Sequence, residues 1–228
     1  MSEMVILITA SSAGLGAAIA KSLITSHRVV INYNSSPQHA HDVLEELLQL
    51  STSSNASHDD ETPRAIAIQA DVSKPTEIRR LVAETVTRMG RLDGVVSNAG
   101  WTSMRNFSDL DDNIDEDDWD RCFTVNVKSH LFLLTAAREH LDETEGSFIT
   151  VASVAGVRPS GSSLPYAVSK AAQIYLVKCL AGIVSPKIRI NSVSPGILMT
   201  NWGRQFPEET LHHSMDKTLL GRFATVEV

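Results

Sequence analysis

Val5-Ile6-Leu7-Ile8-Thr9-Ala10-Ser11-Ser12-Ala13-Gly14-Leu15-Gly16 decides the fold. Four consecutive apolar residues suit a strand buried on both faces, and such strands belong to parallel sheets covered by helices on either side. Gly14 to Ile24 reads as a helix. The turn between the two is made of small residues, which allow close backbone approach to a bound group. The free N–H groups at the start of that helix suit a phosphate. Working outward, short apolar runs alternate with helical patterns. Strands are expected at Val29–Tyr33, Ala65–Ile68, Gly94–Ser97, Ser147–Ala152 and Ile188–Val193. Helices are expected near His39–Leu50, Pro75–Met89, Trp119–His140 and Pro165–Ile183. Six strands alternating with helices predict a Rossmann-type doubly wound α/β domain over 1–228, whose ligands bind beyond the carboxyl ends of the strands.

Composition narrows the function. The 228 residues carry a formal net charge of -7, with 43% hydrophobic and 21% charged residues. No basic stripe is present, which argues against nucleic acid as a partner. Cys122 and Cys179 lie far apart, with no metal-type spacing, and read as thiols in a reducing compartment. His212 and His213 are adjacent and point apart on a helix, so no metal site is expected. The N-terminal apolar stretch is broken by Ser11, Ser12, Gly14, Gly16 and Lys21 and carries Glu3, unlike a secretory signal. No run reaches the ~18 continuous apolar residues of a membrane span. A soluble, cytoplasmic protein with no membrane partner is the expectation. Ser51–Thr62 reads as a mobile polar loop, and Asn55-Ala56-Ser57 as a chance glycosylation tripeptide. Asp109–Asp120 reads as a solvated acidic loop leading into a helix N-terminus, where carboxylates are favourable.

The turn Thr9-Ala10-Ser11-Ser12-Ala13-Gly14-Leu15-Gly16 resembles the Thr-Gly-x-x-x-Gly-x-Gly signature of the short-chain dehydrogenase/reductases, with Ala10 in place of the first glycine. Five further features resemble the same family, in the right order. Asp71-Val72 follows the third strand. Ser97-Asn98-Ala99-Gly100 follows the fourth, with serine replacing the family's first asparagine. Asn126 lies in the long helix, and Ser153 stands thirteen residues before Tyr166, which is followed four residues later by Lys170. Pro195-Gly196, with Ile197 and Thr200 beyond it, follows the sixth strand. The resemblance implies an enzyme that interconverts a carbonyl and a secondary alcohol by hydride transfer. It implies catalytic roles for Ser153, Tyr166, Lys170 and Asn126, with Tyr166 as the proton-transferring residue. Lys170 would also hold the nicotinamide ribose, Ser153 the substrate oxygen, and Asn126 a water on the proton path. Cofactor contacts would come from Thr9, Ser11, Ser12, Gly14, Leu15, Gly16, Asp71, Val72, Asn98, Ala99, Gly100, Tyr166, Lys170, Pro195, Gly196, Ile197 and Thr200.

The residues themselves fit this chemistry. Tyr166 and Lys170, at i and i+4, share one helix face, and Pro165 suits the first turn of that helix. A cation beside the phenol is expected to lower its pKa from ~10. The second strand ends in Tyr33, with Asn34 and Ser35 after it, where an NAD enzyme of this fold usually places a carboxylate. That favours NADP(H) over NAD(H), although Ala13 stands where many NADP-dependent relatives carry a basic residue. Trp101, Val157, Met199, Trp202 and Phe206 predict an apolar pocket for a small carbonyl or alcohol substrate. Val29–Ser36 and Leu219–Val226 resemble 3-oxoacyl-thioester reductases and related ketoreductases. Family members usually run on beyond the motif at Val228, adding a seventh strand and much of the subunit interface. An exposed apolar sixth strand and a weakened homo-oligomer are therefore expected. The competing reading is a dinucleotide-binding partner or regulatory protein without turnover.

Overall fold

A computed structural model describes residues 3–52 and 62–226. Six parallel strands form one sheet: β1 (Val5–Ile8), β2 (Arg28–Tyr33), β3 (Ala65–Gln69), β4 (Gly94–Ser97), β5 (Ser147–Val151) and β6 (Arg189–Val193). Their spatial order is β3-β2-β1-β4-β5-β6. Strands β1 and β2 are almost wholly buried because both faces of the sheet are covered. The helices α1 (Gly14–Leu23) and α2 (Pro37–Thr52) close one face over Ile8, Ile31, Leu47 and their neighbours. On the other face α3 (Pro75–Met89), α5 (Ser129–Thr144) and α6 (Leu164–Val184) pack over Leu7, Val95 and Phe148. The chain reverses its direction of winding between β1 and β4, which opens a crevice at their carboxyl ends.

Two expectations about elements change. The helix read as continuous from Trp119 to His140 begins earlier, as α4 (Glu116–Phe123), and is then widened by a π-turn at Thr124–Lys128 before α5. The reason is Asn126 at the centre of that turn, whose side chain bonds to the backbone of Trp101 and holds the helix off its regular pitch. The polar stretch Ser51–Thr62, with its Asn-Ala-Ser tripeptide, lies outside the described residues except at its ends, where Ser51 and Thr52 complete α2.

At the sheet edge, Ile190 of β6 is buried while Arg189, Asn191 and Val193 are exposed. The edge is therefore half polar rather than apolar, which discourages strand-to-strand association. Beyond β6 a short helix, α7 (Glu208–Asp216), and an isolated bridge between Leu198 and Ala224 follow. Helix α6 is long and apolar enough to cross a membrane by length and composition. Yet it buries Ser169, Lys170 and Gln173 inside the protein, as the central helix of a globular core does.

Beneath the crevice sits a fully buried histidine. His130 of α5 meets Ser97 of β4 through Nδ1 at 2.6 Å, and its Nε2 has no hydrogen-bond partner among the described residues. Burial holds the imidazole neutral, pushing its pKa down to about 3. Between pH 6.5 and about 3 the unfolded chain binds a proton that the folded chain refuses, so stability is full above that window and falls as pH drops through it. One such proton gives a slope of about 1.4 kcal/mol per pH unit. Denaturant titrations from pH 7 to pH 4 should show a shallower fall for His130→Gln than for the native protein. Parallel curves would mean that other groups carry the acid sensitivity.

Candidate active site

The first turn is held in shape from below. Ser11 is fully buried, its hydroxyl donating to the Ile8 carbonyl at 2.7 Å and accepting from the Asn32 amide at 3.0 Å. Thr9 is equally buried, its hydroxyl accepting from the amides of Asn98 and Ala99. Neither hydroxyl can reach a ligand. Thr9 and Ser11, both expected at the cofactor, use their hydroxyls to splice β1 to its neighbours and fix the turn. Asn98 completes the splice by donating to the carbonyls of Thr9 and Ala10. A Cβ on Gly16 would lie 2.7 Å from both the Ala10 carbonyl and the Asn98 amide nitrogen, so only glycine fits there.

Ala10 takes a left-handed conformation, with φ of 50°. It is held there by Asn32, whose Oδ1 accepts from the Ala10 amide while its Nδ2 donates to carbonyls of Tyr33, Ile68 and Ala70. Asn32 was missed in the sequence. Its only signal was a polar residue inside an otherwise apolar strand, the kind of local inconsistency that marks a site.

Ser12, Gly14 and Leu15 line the start of α1, half-exposed. No side chain caps that helix, whose N-cap is Ala13. Its first N–H groups are therefore available to an anion, and the residues present fit the pyrophosphate of a dinucleotide. Thr200 has been brought from the far end of the chain against Gly14, its Cγ2 3.5 Å from where a Cβ would stand. At the end of β2, Tyr33 is half-buried and Asn34 and Ser35 are exposed. Asp71, expected among the cofactor contacts, has its carboxylate engaged within its own turn. It accepts from the Ser73 amide and hydroxyl and pairs with Lys74, because a carboxylate at a turn satisfies its own backbone first. Val72 packs against the core.

On the other side of the crevice, Ser163 caps α6 by accepting from the Tyr166 amide, and Pro165 occupies its first turn. Tyr166 is half-exposed, with Ser153 beside it. Trp202 lies 6.2 Å from the Tyr166 ring and also reaches over Gly100. Lys170 stands 5.7 Å from the Tyr166 ring centroid. Its Nζ donates to the Val151 carbonyl and to Gln173 Oε1, both at 2.9 Å. A Cβ on Gly156 would strike the Lys170 backbone at 2.6 Å, so the short turn after Ser153 lies directly on α6. Pro195 is tied to this turn, its carbonyl accepting from Val154, while Gly196 is exposed and Ile197 half-buried.

The electrostatics differ from expectation. Burial pushes the Tyr166 phenol upward, and the neighbouring Ser153 hydroxyl pulls it partly back. Burial also brings Lys170 down to about 7. Burial of the phenol therefore keeps Tyr166 a protonated acid at neutral pH. Asn126 is completely enclosed: Oδ1 accepts from the Trp101 amide, and Nδ2 donates to the Trp101 carbonyl and the Ser169 hydroxyl. Both amide hydrogens are taken, and the fully buried side chain is turned to Trp101 and Ser169.

The acidic segment is largely exposed and leads into the N-terminus of α4, which Asp115 caps by accepting from the Asp118 amide; it also carries contacts of its own. Arg105 pairs with Asp112, Asp115 and Asp118. Asn113, buried, accepts from the Leu164 amide at 2.8 Å. The segment thus clasps the loop after β4 to the first residue of α6. Of the expected apolar pocket, Trp202 faces Tyr166, while Trp101 lies under the Arg121 guanidinium, 4.6 Å away. Val157 is largely exposed.

The family model for short chain dehydrogenases matches residues 4–210. The chain belongs to the short-chain dehydrogenases. It is therefore an NAD(P)-dependent oxidoreductase. It is 36% identical over 200 residues to a ketoacyl reductase named for the granaticin polyketide synthase of Streptomyces violaceoruber, covering 87% of this chain and 74% of that one. It is 35% identical over 199 residues to versicolorin reductase stcU of Emericella nidulans, covering 86% and 70%. Among solved structures, the 3-ketoacyl-(acyl-carrier-protein) reductase of Brucella melitensis, complexed with NADH, superposes with a TM-score of 0.81. That match has 23% identity and covers 98% of this dehydrogenase and 86% of the other, a likeness of fold.

Ala10 is the point where this dehydrogenase departs from its family's turn. A left-handed alanine costs roughly 1–2 kcal/mol, which glycine avoids at a smaller entropic cost. Ala10→Gly should raise stability by about 0.5–1 kcal/mol and leave the splice intact. Thermal melts of the two proteins check this; an unchanged or lower melting temperature would show that the Asn32 contacts fully offset the strain.

Proposed function

We propose that this dehydrogenase, as one domain over 1–228, is an NADP(H)-dependent reductase that interconverts an apolar ketone and its secondary alcohol, with Tyr166 as general acid/base. What carries the reading is the pairing of a half-exposed, protonated Tyr166 phenol with the Ser153 hydroxyl on one side and the Lys170 ammonium behind it. The two ketoreductase relatives support the choice of substrate class. A dinucleotide held in the crevice would supply the hydride that the carbonyl carbon accepts. Ser153 holds the carbonyl oxygen, and Tyr166 Oη gives its proton to that oxygen as charge develops there. Lys170 stabilises the phenolate left behind and binds the nicotinamide ribose. Asn126 acts by position: it fixes Trp101 and, through Ser169, the helix that carries Tyr166 and Lys170. A proton-path water would then rest on the main chain of the π-turn.

The pyrophosphate would lie on the N–H groups of α1, between Ser12, Gly14, Leu15, Gly16 and Thr200. Asn98, Ala99, Gly100 and Pro195–Ile197 would flank the nicotinamide half. Preference for the 2′-phosphate rests on the end of β2, where Tyr33, Asn34 and Ser35 offer no carboxylate to repel it and the nearby Asp71 is turned into its own loop. Two unpaired thiols, Cys122 and Cys179, suit a reducing compartment, and we place the enzyme in the cytoplasm on that ground.

Tyr166→Phe should abolish reduction of a ketone panel with NADPH while leaving dinucleotide affinity within a few-fold, because the phenol transfers a proton and carries little binding. If the variant kept a tenth of the native rate, the assignment of Tyr166 would fail. Tyr33→Asp should move the ratio of dissociation constants from NADPH toward NADH, since a carboxylate accepts from ribose hydroxyls and repels a phosphate. Tighter binding of NADH than NADPH by the native protein would sink the cofactor assignment.

A further inference from the structure

Lys170 is a cation almost fully buried, at 3% exposure. No carboxylate pairs with it among the described residues. The titratable groups that face it come from three helices: Cys122 on α4, His130 on α5 and Tyr166 on α6. All three are neutral over the working range. Burial pushes the Cys122 thiol up to about 11 and the His130 imidazole down to about 3, and it raises the phenol. Nothing charged therefore compensates the ammonium, and a buried uncompensated charge sheds its proton unless hydrogen bonds hold it. Two acceptors meet it. One is the Val151 carbonyl at the end of β5 and the other is Gln173 Oε1, each at 2.9 Å.

Gln173 is itself fully buried, three residues along α6 from Lys170. Its orientation is fixed because Nε2 donates to the same Val151 carbonyl at 3.2 Å. That donation leaves Oε1 as the atom aimed at Nζ. A glutamine in the interior of an apolar helix loses side-chain entropy and must find partners for both ends of its amide. Here it finds Lys170 and the strand that Lys170 also touches.

We propose that Gln173 is a positioning residue for the reaction: with the Val151 carbonyl it forms a two-acceptor seat that holds Lys170 in place and in its cationic form without a carboxylate. The proposal rests on the reading of Lys170 as the group that supports Tyr166. Burial pushes the lysine down, and the two acceptors at 2.9 Å oppose that push by favouring the charged form. Removing one acceptor lowers the pH at which the ammonium is lost. Replacing the amide with a carboxylate raises it, because an opposite charge in contact favours the charged form.

The test uses the full chain carrying lysine labelled with carbon-13 at Cε, in native, Gln173→Leu and Gln173→Glu forms, with Lys170→Arg to assign the resonance. Relative to the native protein, the Lys170 signal should titrate about one pH unit or more lower in Gln173→Leu and about one or more higher in Gln173→Glu. The alkaline limb of kcat/KM for NADPH-driven ketone reduction should move in the same two directions, since that limb reports the free enzyme. Coincident titrations in the three proteins overturn the seat. Titrations that move while the pH–rate profile stays fixed overturn its part in the reaction. A native protein that reduces no ketone overturns the functional reading, and the titrations still decide whether Gln173 holds Lys170. Should Gln173→Leu not fold, the near-isosteric Gln173→Glu keeps the comparison with the native chain decisive.

Discussion

Burying the Lys170 ammonium with no counter-ion among the described residues is the constraint around which the catalytic face of the sheet is arranged. A bare charge in a low-dielectric interior costs several kcal/mol, so the surrounding elements must either neutralise it or supply acceptors. They do the latter. Strand β5 ends one residue beyond Thr150 with its last carbonyl turned to Nζ, and α6 answers with Gln173. The neighbouring polar groups are all kept uncharged. His130 is enclosed by α5 and β4, Cys122 lies in α4, and Asn126 is bonded to Trp101 and Ser169. The lysine is thereby kept close to the phenol and close to its own titration point, where a bound cofactor or a departing proton can tip it.

The opposite half of the crevice solves a different problem. A turn that must bring backbone N–H groups close to an anion cannot be braced from the ligand side, so it is braced from underneath. Thr9, Ser11, Asn32 and Asn98 are buried or half-buried polar residues that bond mostly to backbone. Their network joins β1, β2, β3 and the loop after β4. It is over-determined enough to hold Ala10 at a positive φ, a conformation alanine avoids when left to itself.

Between these halves runs the clasp from Thr102 to Asp118. Its charge is extreme only in sequence. In space Arg105 gathers three of its carboxylates, Asp115 caps α4, and Asn113 hands its oxygen to the amide that opens α6. Thr102 and Ser162 join their hydroxyls at 2.6 Å nearby. The helix bearing Tyr166 is thus anchored at its start to the loop that leaves β4, which fixes the phenol relative to the switch point of the sheet.

The sequence alone determined the alternation of strands and helices, because apolar runs and turn residues act over a few positions and do not need the rest of the chain. For the same reason Tyr166 and Lys170 were legible as a pair: four residues apart on one helix, they share a face wherever that helix lies. The packed structure decided what each polar residue faces. Thr9 and Ser11 could be read as outward ligand contacts, Asp71 as an adenine partner and Asn126 as a water holder, since nothing local says which way a short polar side chain turns. Their partners are mostly distant in the chain, Thr9 with Asn98 and Asn126 with Trp101 and Ser169. Gln173 and Asn32 went unread on their own for the same reason. A polar residue in an apolar run signals only that a partner must exist, and which atom answers is settled when the sheet brings separate segments within hydrogen-bonding distance.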